Sequence, residues 1–477
     1  MVQLVHVVFA VAIGWTIVRT LRQIRSLSSV AGTMLAAGIL VRVLIGLGLF
    51  WTSYLDVQQF DSLHSGDGFW VLMVDARGYY NSAATAVERG FDTISPGSAS
   101  PFYVKTLAVW MHIVGISPAV GLYLNLCLYV GLVTVLIRAY KPVNEWRRDL
   151  PLLVGIGAFS FSPIMLINGT QALKDDLFAT LVTMVCIGVL LVLRSLASRD
   201  FLAARSSHLG VGSAVLILAA YGISGIRDYF VVIVWAVLAV VMAMFATRQP
   251  RQRLLGYAVG AATVLGALWT AYALGAGPYY RGPTMGRIVR VASGQSAPAP
   301  MLGTEMSSPS DVVKVIEHAR TGFELTGGAT NVAGAASPAE EACSSCRPGV
   351  SERAAALGVG LATIFVPISL LKALQIVQFS GGRALLPIAD VDTVFLDASL
   401  LLILGLLYSR RRVIGGRLPF VVFAVGVSVA TAMLLGYVVT NFGTLFRIRL
   451  IVAVPIWTAV IALSESDGGA VQAGGSR

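Results

Sequence analysis

Residues 75–86 read DARGYYNSAATA, a polar run between two hydrophobic blocks. Asp75, Tyr79 and Ala83 recur every four positions, so a helix here carries one carboxylate and one phenol on a single face. A carboxylate so placed can take a proton from a hydroxyl nucleophile. It is equally the acid that a helix N-terminus attracts on an amphipathic surface helix. Three further stretches pair charges at what read as helix mouths: Lys174, Asp175 and Asp176 in NGTQALKDDLFATL, Arg227 and Asp228 in GIRDYF, and Arg447 and Arg449 in NFGTLFRIRL. Guanidinium and ammonium groups at headgroup depth suit phosphate oxygens, which Arg can grip in bidentate fashion. Simpler readings stand beside each. Acids at a helix start follow the dipole, with Lys174 as a local ion-pair partner. Arg227 and Asp228 can form a salt bridge within a turn, and Arg447 and Arg449 can snorkel to headgroups. The aromatic segment SPFYVKTLAVWMHIVGI (100–116) adds Tyr103 and Lys105 and is too interrupted to span a bilayer comfortably, so it reads as interfacial. Together Lys105, Lys174, Arg227, Arg383, Arg447 and Arg449 would form a cationic rim around Asp75.

The elements that must position these residues are transmembrane. Of 477 residues, 56% are hydrophobic and 12% charged, and the mean hydropathy of +0.78 excludes an ordinary soluble domain. Apolar windows of about 17–25 residues predict eleven spans, near 4–18, 31–52, 118–138, 149–167, 175–193, 209–225, 229–247, 254–276, 391–408, 419–440 and 449–464. The first lacks a basic n-region and a small-residue cleavage site, so it reads as a span and not as a signal peptide. The expected fold is an all-α polytopic membrane protein of about 11 transmembrane helices, with short interfacial helices in its external loops.

The net charge of +11 invites a nucleic-acid reading, but the basic residues are placed otherwise. Seventeen of the 35 Lys and Arg fall in five short loops that alternate with the spans: Arg19 to Arg25, Arg138 to Arg148, Arg194 to Arg205, Arg248 to Arg253 and Arg410 to Arg417. By the positive-inside bias these face the cytoplasm, which puts the N-terminus outside and the C-terminus inside a plasma (inner) membrane. The chain then divides into an N-terminal transmembrane module (1–276) holding a first external loop (53–117), a large external loop (277–353), an interfacial or re-entrant segment (354–390) broken by Pro367 and Pro387, and a C-terminal transmembrane module (391–477). No internal repeat is evident, no Asp or Glu lies deep in any predicted span, and the acids crowd the outer face.

Of four cysteines, Cys127 and Cys186 read as small core residues. Cys343 and Cys346, in ACSSC within a polar loop, read as a small disulfide in an oxidising compartment. A zinc site there lacks two ligands, and a redox motif lacks its βαβ context. Arg42 falls mid-span, where a lone charge costs roughly 2.5–3.5 kcal/mol, so it should face the bundle interior or snorkel in a structural role. Glycine-rich matches such as GVGSAV lie in spans with no preceding strand and predict no nucleotide fold. The sequon Asn168-Gly169-Thr170 hugs the membrane and is discounted.

The order of these pieces resembles the first external loop of the GT-C membrane glycosyltransferases, in the protein mannosyltransferase and aminoarabinose transferase branch (glycosyltransferase family 39). The resemblance rests on Asp75, Tyr79 and Ala83, then Pro101, Phe102 and Tyr103, then Gly115, Ile116 and Ser117. It covers residues 31–140 best and the remainder through span count and order. The family often has Asp-Glu at the acidic position and Lys-Pro-Pro before the aromatic; this chain has Asp75-Ala76 and Ala99-Ser100-Pro101. The resemblance implies a GT-C-like fold and sugar transfer from a polyprenyl-phosphate-linked donor to a glycan, lipid or protein acceptor at the extracytoplasmic face of a bacterial membrane. Asp75 would be the general base, and Tyr79, Tyr103, Lys105, Lys174, Asp175, Arg227, Asp228, Arg447 and Arg449 would bind substrate. A single displacement would invert the anomeric centre. Metal dependence stays open: a divalent cation could sit on Asp175 and Asp176, or on Asp56 and Asp61, though neither set has ligand spacing to recommend it. Alternatives are an O-antigen polymerase or ligase-like envelope enzyme, or a lipid or saccharide transporter.

Overall fold

A computed structural model describes residues 2–60, 64–70, 74–94, 100–140, 142, 146–197, 206–247, 251–276, 357–358, 361–374, 386–409, 417–438 and 442–464. In chain order its helices are α1 (Val2–Leu27), α2 (Ser29–Tyr54), α3 (Val74–Arg89), α4 (Pro101–Val114), α5 (Val120–Tyr140), α6 (Trp146–Phe161), α7 (Pro163–Asn168), α8 (Asp175–Ala197), α9 (Ser206–Ala246), α10 (Arg251–Ala276), α11 (Ile368–Ala373), α12 (Leu386–Ser409), α13 (Leu418–Val438) and α14 (Phe442–Ala462). Eight helices among the described residues are long and apolar enough to cross a membrane. Hydrocarbon offers no partner for backbone N–H and C=O groups, and helices satisfy them within one segment. The chain is an all-α polytopic membrane protein.

All eleven predicted spans are helical over most of their described residues, and two departures from simple rods have identifiable reasons. The predicted span 149–167 is split into α6 and α7: Pro163 has no N–H to donate and opens the new helix behind Ser162. The two spans expected at 209–225 and 229–247 merge into α9, 41 residues interrupted at Arg227 (φ −150°, ψ 84°). Straight, such a helix would measure about 60 Å, twice the hydrocarbon thickness. The contacts show that it reverses. From Gly212 to Gly222 the first limb moves along α8 from Leu191 and Gly188 to Leu181. Arg227 then meets Asp175, and Phe230 packs back on Phe178.

Glycine lets α8 and the first limb of α9 approach closely: a Cβ on Gly188 would stand 2.9 Å from the Gly212 carbonyl oxygen. Small residues at helix crossings are a common device where apolar surface meets apolar lipid. At the end of the bundle away from Asp175, Arg138 donates to Gln23 Oε1 at 2.8 Å, so α1 and α5 bring two of the basic clusters together.

The first loop contains one element that the all-α expectation omits. β1 (His64–Gly66) pairs antiparallel with β2 (Phe69–Trp70). Gly66, Asp67 and Gly68 all take positive φ, a turn that a Gly-Asp-Gly sequence adopts with little strain. Three bonds pin the hairpin: Ser53 Oγ donates to the Phe69 carbonyl, Trp70 Nε1 to the Leu49 carbonyl, and Gln171 Nε2 to the Gly68 carbonyl. The last of these ties the first loop to the 168–175 connection. In the 354–390 segment, residues 361–365 are helical, Pro367 breaks the run, and α11 follows for six residues. Neither piece is long enough to cross a bilayer.

Candidate functional site

Helix α3 buries Ala76, Tyr79, Ala83 and Ala86 on one face, which takes in Tyr79 and Ala83 of the four-residue spacing but not Asp75. Asp75 stands at its first turn and is exposed. The structure therefore puts Asp75 on the rim, where it still acts electrostatically on the Tyr79 phenol. Helix α4 begins at Pro101, and Ser100 before it adopts a left-handed conformation (φ 58°, ψ 58°) without capping the helix by its side chain. Its hydroxyl is thus turned to other partners.

Those partners define the site. Lys174 Nζ donates to Ser100 Oγ at 2.7 Å and lies 5.5 Å from the centre of the Tyr79 ring. Ser100 Oγ reaches the Ile226 carbonyl at 3.5 Å and hydrogen-bonds Tyr79. Tyr79 and Tyr103 meet edge to face at 5.3 Å. Arg227 donates to Asp175 Oδ1 at 3.1 Å and to the Tyr229 hydroxyl at 3.2 Å, with its guanidinium 5.5 Å from the Phe178 ring. Residues far apart along the chain, from α3, α4, the turn before α8 and the bend of α9, meet around Tyr79. Burial, reinforced by the Asp75 charge, pushes the Tyr79 phenol up to about 12. Burial likewise pushes Tyr103 well above the usual range. Both phenols stay protonated at physiological pH and can donate a hydrogen bond to an anion.

Tyr79, Tyr103, Lys174, Asp175 and Arg227 are brought together as the sequence suggested. The ion pair of Arg227 crosses between helices to Asp175; Asp228, its chain neighbour, is buried. Lys105 lines a cleft between α4 and α9 beside this cluster.

Arg449 belongs elsewhere. Its guanidinium donates to the Ala389 carbonyl and Thr393 Oγ1, at 2.9 and 2.8 Å, and also to the Thr363 carbonyl. Asp392, Asp390 and Asp397 all act on its charge; Asp392 accepts from Ser162 Oγ at 2.5 Å and from the Ile164 amide at 3.0 Å. That carboxylate caps α7. Asp397, further inside the predicted span 391–408, corrects the expectation that no acid lies deep in a span, and Asp392 at the start of that span is buried. The side chain of Arg447, together with Arg383, Asp61, Cys343, Cys346 and the 277–353 loop, lies outside the described residues.

Beneath the cluster is a feature that the sequence only partly disclosed. Arg42 is 1% exposed and faces the interior, as the insertion cost demands. Its guanidinium lies 3.7 Å from the Tyr129 ring centre and donates to the Phe159 and Ser160 carbonyls at 2.7 and 2.8 Å. Those carbonyls have lost their helical donors, because residue 163 is proline and the Ile164 amide goes to Asp392. A cation satisfies the orphaned end of α6. Arg42 also interacts electrostatically with Asp176, which is 2% exposed and faces the 168–171 turn beside Gly169. Both acids are buried, and the pattern of spans left Asp176 undistinguished from Asp175.

Asp175 thus pairs with Arg227, whereas Asp176 feels the Arg42 charge with neither carboxylate oxygen hydrogen-bonded. Asp56 is exposed, 3.8 Å from His64. Among the described residues no group of three or more His, Cys, Asp or Glu side chains gathers to hold a metal ion. Comparison of the chain with protein-family models, with curated proteins and with solved structures finds no match in any of the three.

Proposed function

We propose that the chain is a GT-C-like membrane glycosyltransferase that moves a sugar from a polyprenyl-phosphate donor to an acceptor hydroxyl at the extracytoplasmic face. One observation carries the reading: Tyr79 is surrounded by Ser100, Lys174, Asp175 and Arg227 from separate segments at one end of the bundle, with Asp75 on the accessible rim. The arrangement supplies what the displacement needs. Lys174 and the neutral Tyr79 phenol offer donors to a departing phosphate, stabilising charge as the anomeric bond breaks. Asp75 takes the proton from the attacking hydroxyl on the open side. Arg227 is held by Asp175 and shapes the cationic wall. The basic loops at the opposite end supply the positive-inside argument for an extracytoplasmic site.

The test is transfer by the purified protein in nanodiscs against a panel of polyprenyl-phosphate sugars, with the anomeric configuration of the product read by NMR. Asp75→Asn should lower kcat by about 10²–10⁴-fold while leaving the protein folded. Full turnover by that variant removes the assigned base, and no consumption of any lipid-linked sugar removes the enzyme.

A further inference from the structure

Around the 168–171 turn lie buried polar atoms that the protein's own groups leave unsatisfied. Asn125 Nδ2 donates to the Asn168 and Gln171 carbonyls at 3.3 and 2.6 Å, which sets its Oδ1 close to that turn. Gln171 spends an amide N–H on the Gly68 carbonyl and keeps its Oε1. A Cβ on Gly169 would stand 3.0 Å from Asp176 Oδ2, so Asp176 faces the turn from the start of α8. There it could accept the free amides of the helix, yet neither of its oxygens makes a hydrogen bond. Its charge acts on Arg42 and on the Tyr103 phenol. Arg42, Tyr103, Asn125, Asn168, Gln171 and Asp176 are each at most 5% exposed. Together they hold seven buried side-chain atoms without a hydrogen-bond partner among the described residues.

The chemistry of those atoms selects what meets them. Asn125 Oδ1, Gln171 Oε1 and both Asp176 oxygens only accept, Asn168 Nδ2 and Arg42 Nε only donate, and the Tyr103 hydroxyl does either. A cation would suit the acceptors but face the Arg42 charge, and an anion would suit the donors but face Asp176. Water serves both signs. A buried water makes about three hydrogen bonds, so about two or three molecules suffice for these atoms. We propose that the 168–171 turn encloses a small cluster of bound water molecules, and that through it Asp176 is a positioning residue for Tyr103. Tyr103 meets Tyr79 edge to face, so fixing Tyr103 also fixes the phenol at the centre of the candidate site. The inference rests on the Tyr79 site of the proposed function and adds what holds that site from beneath.

The experiment is X-ray hydroxyl-radical footprinting of the full chain in nanodiscs, read by peptide mass spectrometry. Radicals form from water where it is bound, so a buried side chain beside a water cluster is modified and a dry one is not. Tyr103 is 0% exposed, whereas Tyr257, whose hydroxyl donates to the Met242 carbonyl, is 6% exposed. Tyr103 should nonetheless be modified faster than Tyr257. Asp176→Leu should bring Tyr103 down to the Tyr257 rate, and Asp176→Asn, which still accepts from water, should restore it. In the transfer assay Asp176→Leu should lower kcat by up to about 10²-fold, the worth of one donor to developing charge. The donor KM should stay unchanged, and Asp176→Asn should recover most of the rate. Tyr103→Phe deletes one hydroxyl and carries the kinetic arm if Asp176→Leu does not fold. Tyr103 modified no faster than Tyr257, or as fast in Asp176→Leu as in the wild type, would overturn the water cluster. Full kcat in Asp176→Leu or Tyr103→Phe would overturn the positioning role. Fast modification of Tyr103 without transfer of any sugar keeps the cluster and defeats the glycosyltransferase reading. Transfer with a slowly modified Tyr103 does the reverse.

Discussion

Replacing Arg227 by Met removes one partner of the buried pair that fastens the bend of α9 to the start of α8. The side chains are 12% and 2% exposed and 3.1 Å apart, so solvent screens them little. The net worth of such a pair over two apolar residues is small, because desolvation offsets most of the attraction. Breaking it is another matter, since Asp175 would remain charged in the interior. Such truncations cost about 3–5 kcal/mol, a loss of about two to three and a half orders of magnitude in the folded-to-unfolded ratio at about 1.4 kcal/mol per tenfold. Asp175→Asn should cost less, because Arg227 keeps the Tyr229 hydroxyl and the Phe178 ring. The double variant Asp175→Asn/Arg227→Met should be less destabilised than Arg227→Met alone, giving a coupling energy of about 2 kcal/mol or more. Reversible unfolding in mixed micelles measures all three. A cost below about 1 kcal/mol for Arg227→Met, with additivity in the double variant, would refute the claim that this pair is buried and sets the bend.

Four further outcomes are expected. Asp75→Cys should react with a membrane-impermeant maleimide added outside intact cells, whereas cysteine at Gln23, which accepts from Arg138, should react only after permeabilisation; the opposite pattern reverses the orientation. Gly121→Ala should cost about 1–3 kcal/mol and raise the donor KM. Its Cβ would stand 2.5 Å from the Ala172 backbone and push on the turn that carries Lys174; an unchanged melting midpoint and KM would show that the turn yields freely. Tyr79 is raised from 10 to about 12 by burial, so its stabilising share is complete below pH 10 and is lost as pH rises through 12. Ultraviolet titration should therefore show a late phenolate phase that shrinks in Tyr79→Phe, and an unaltered late phase would place the buried phenol elsewhere. Asp392→Ala removes the cap of α7 and the charge beside Arg449, and should cost about 3 kcal/mol or more; circular dichroism melts that match the wild type would exclude that role.

Hydropathy decides much here because the bilayer leaves the backbone few options. Apolar windows located the helices, and the four-residue spacing placed Tyr79 and Ala83 on the buried face of α3, whereas Asp75, which shares that spacing, is exposed at its first turn. Even the bend at Arg227 was legible, since two charges between apolar runs cannot sit mid-bilayer cheaply. The hairpin at 64–70 was missed although Gly66-Asp67-Gly68 spelled the turn, because a polar loop between spans was read only for its acids.

The sequence alone determined that this chain crosses a membrane repeatedly, roughly where, and which polar residues gather at the helix mouths, because insertion energy is a local sum over a window. It did not determine partners. Arg449 and Arg227 look alike as basic residues at helix mouths, yet one closes on Thr363, Ala389 and Thr393 and the other on Asp175. Arg42 found its carbonyls because Pro163, 121 residues away, had released one of them. Which charge meets which is fixed by the packing of helices distant in sequence, and only the tertiary structure decides that.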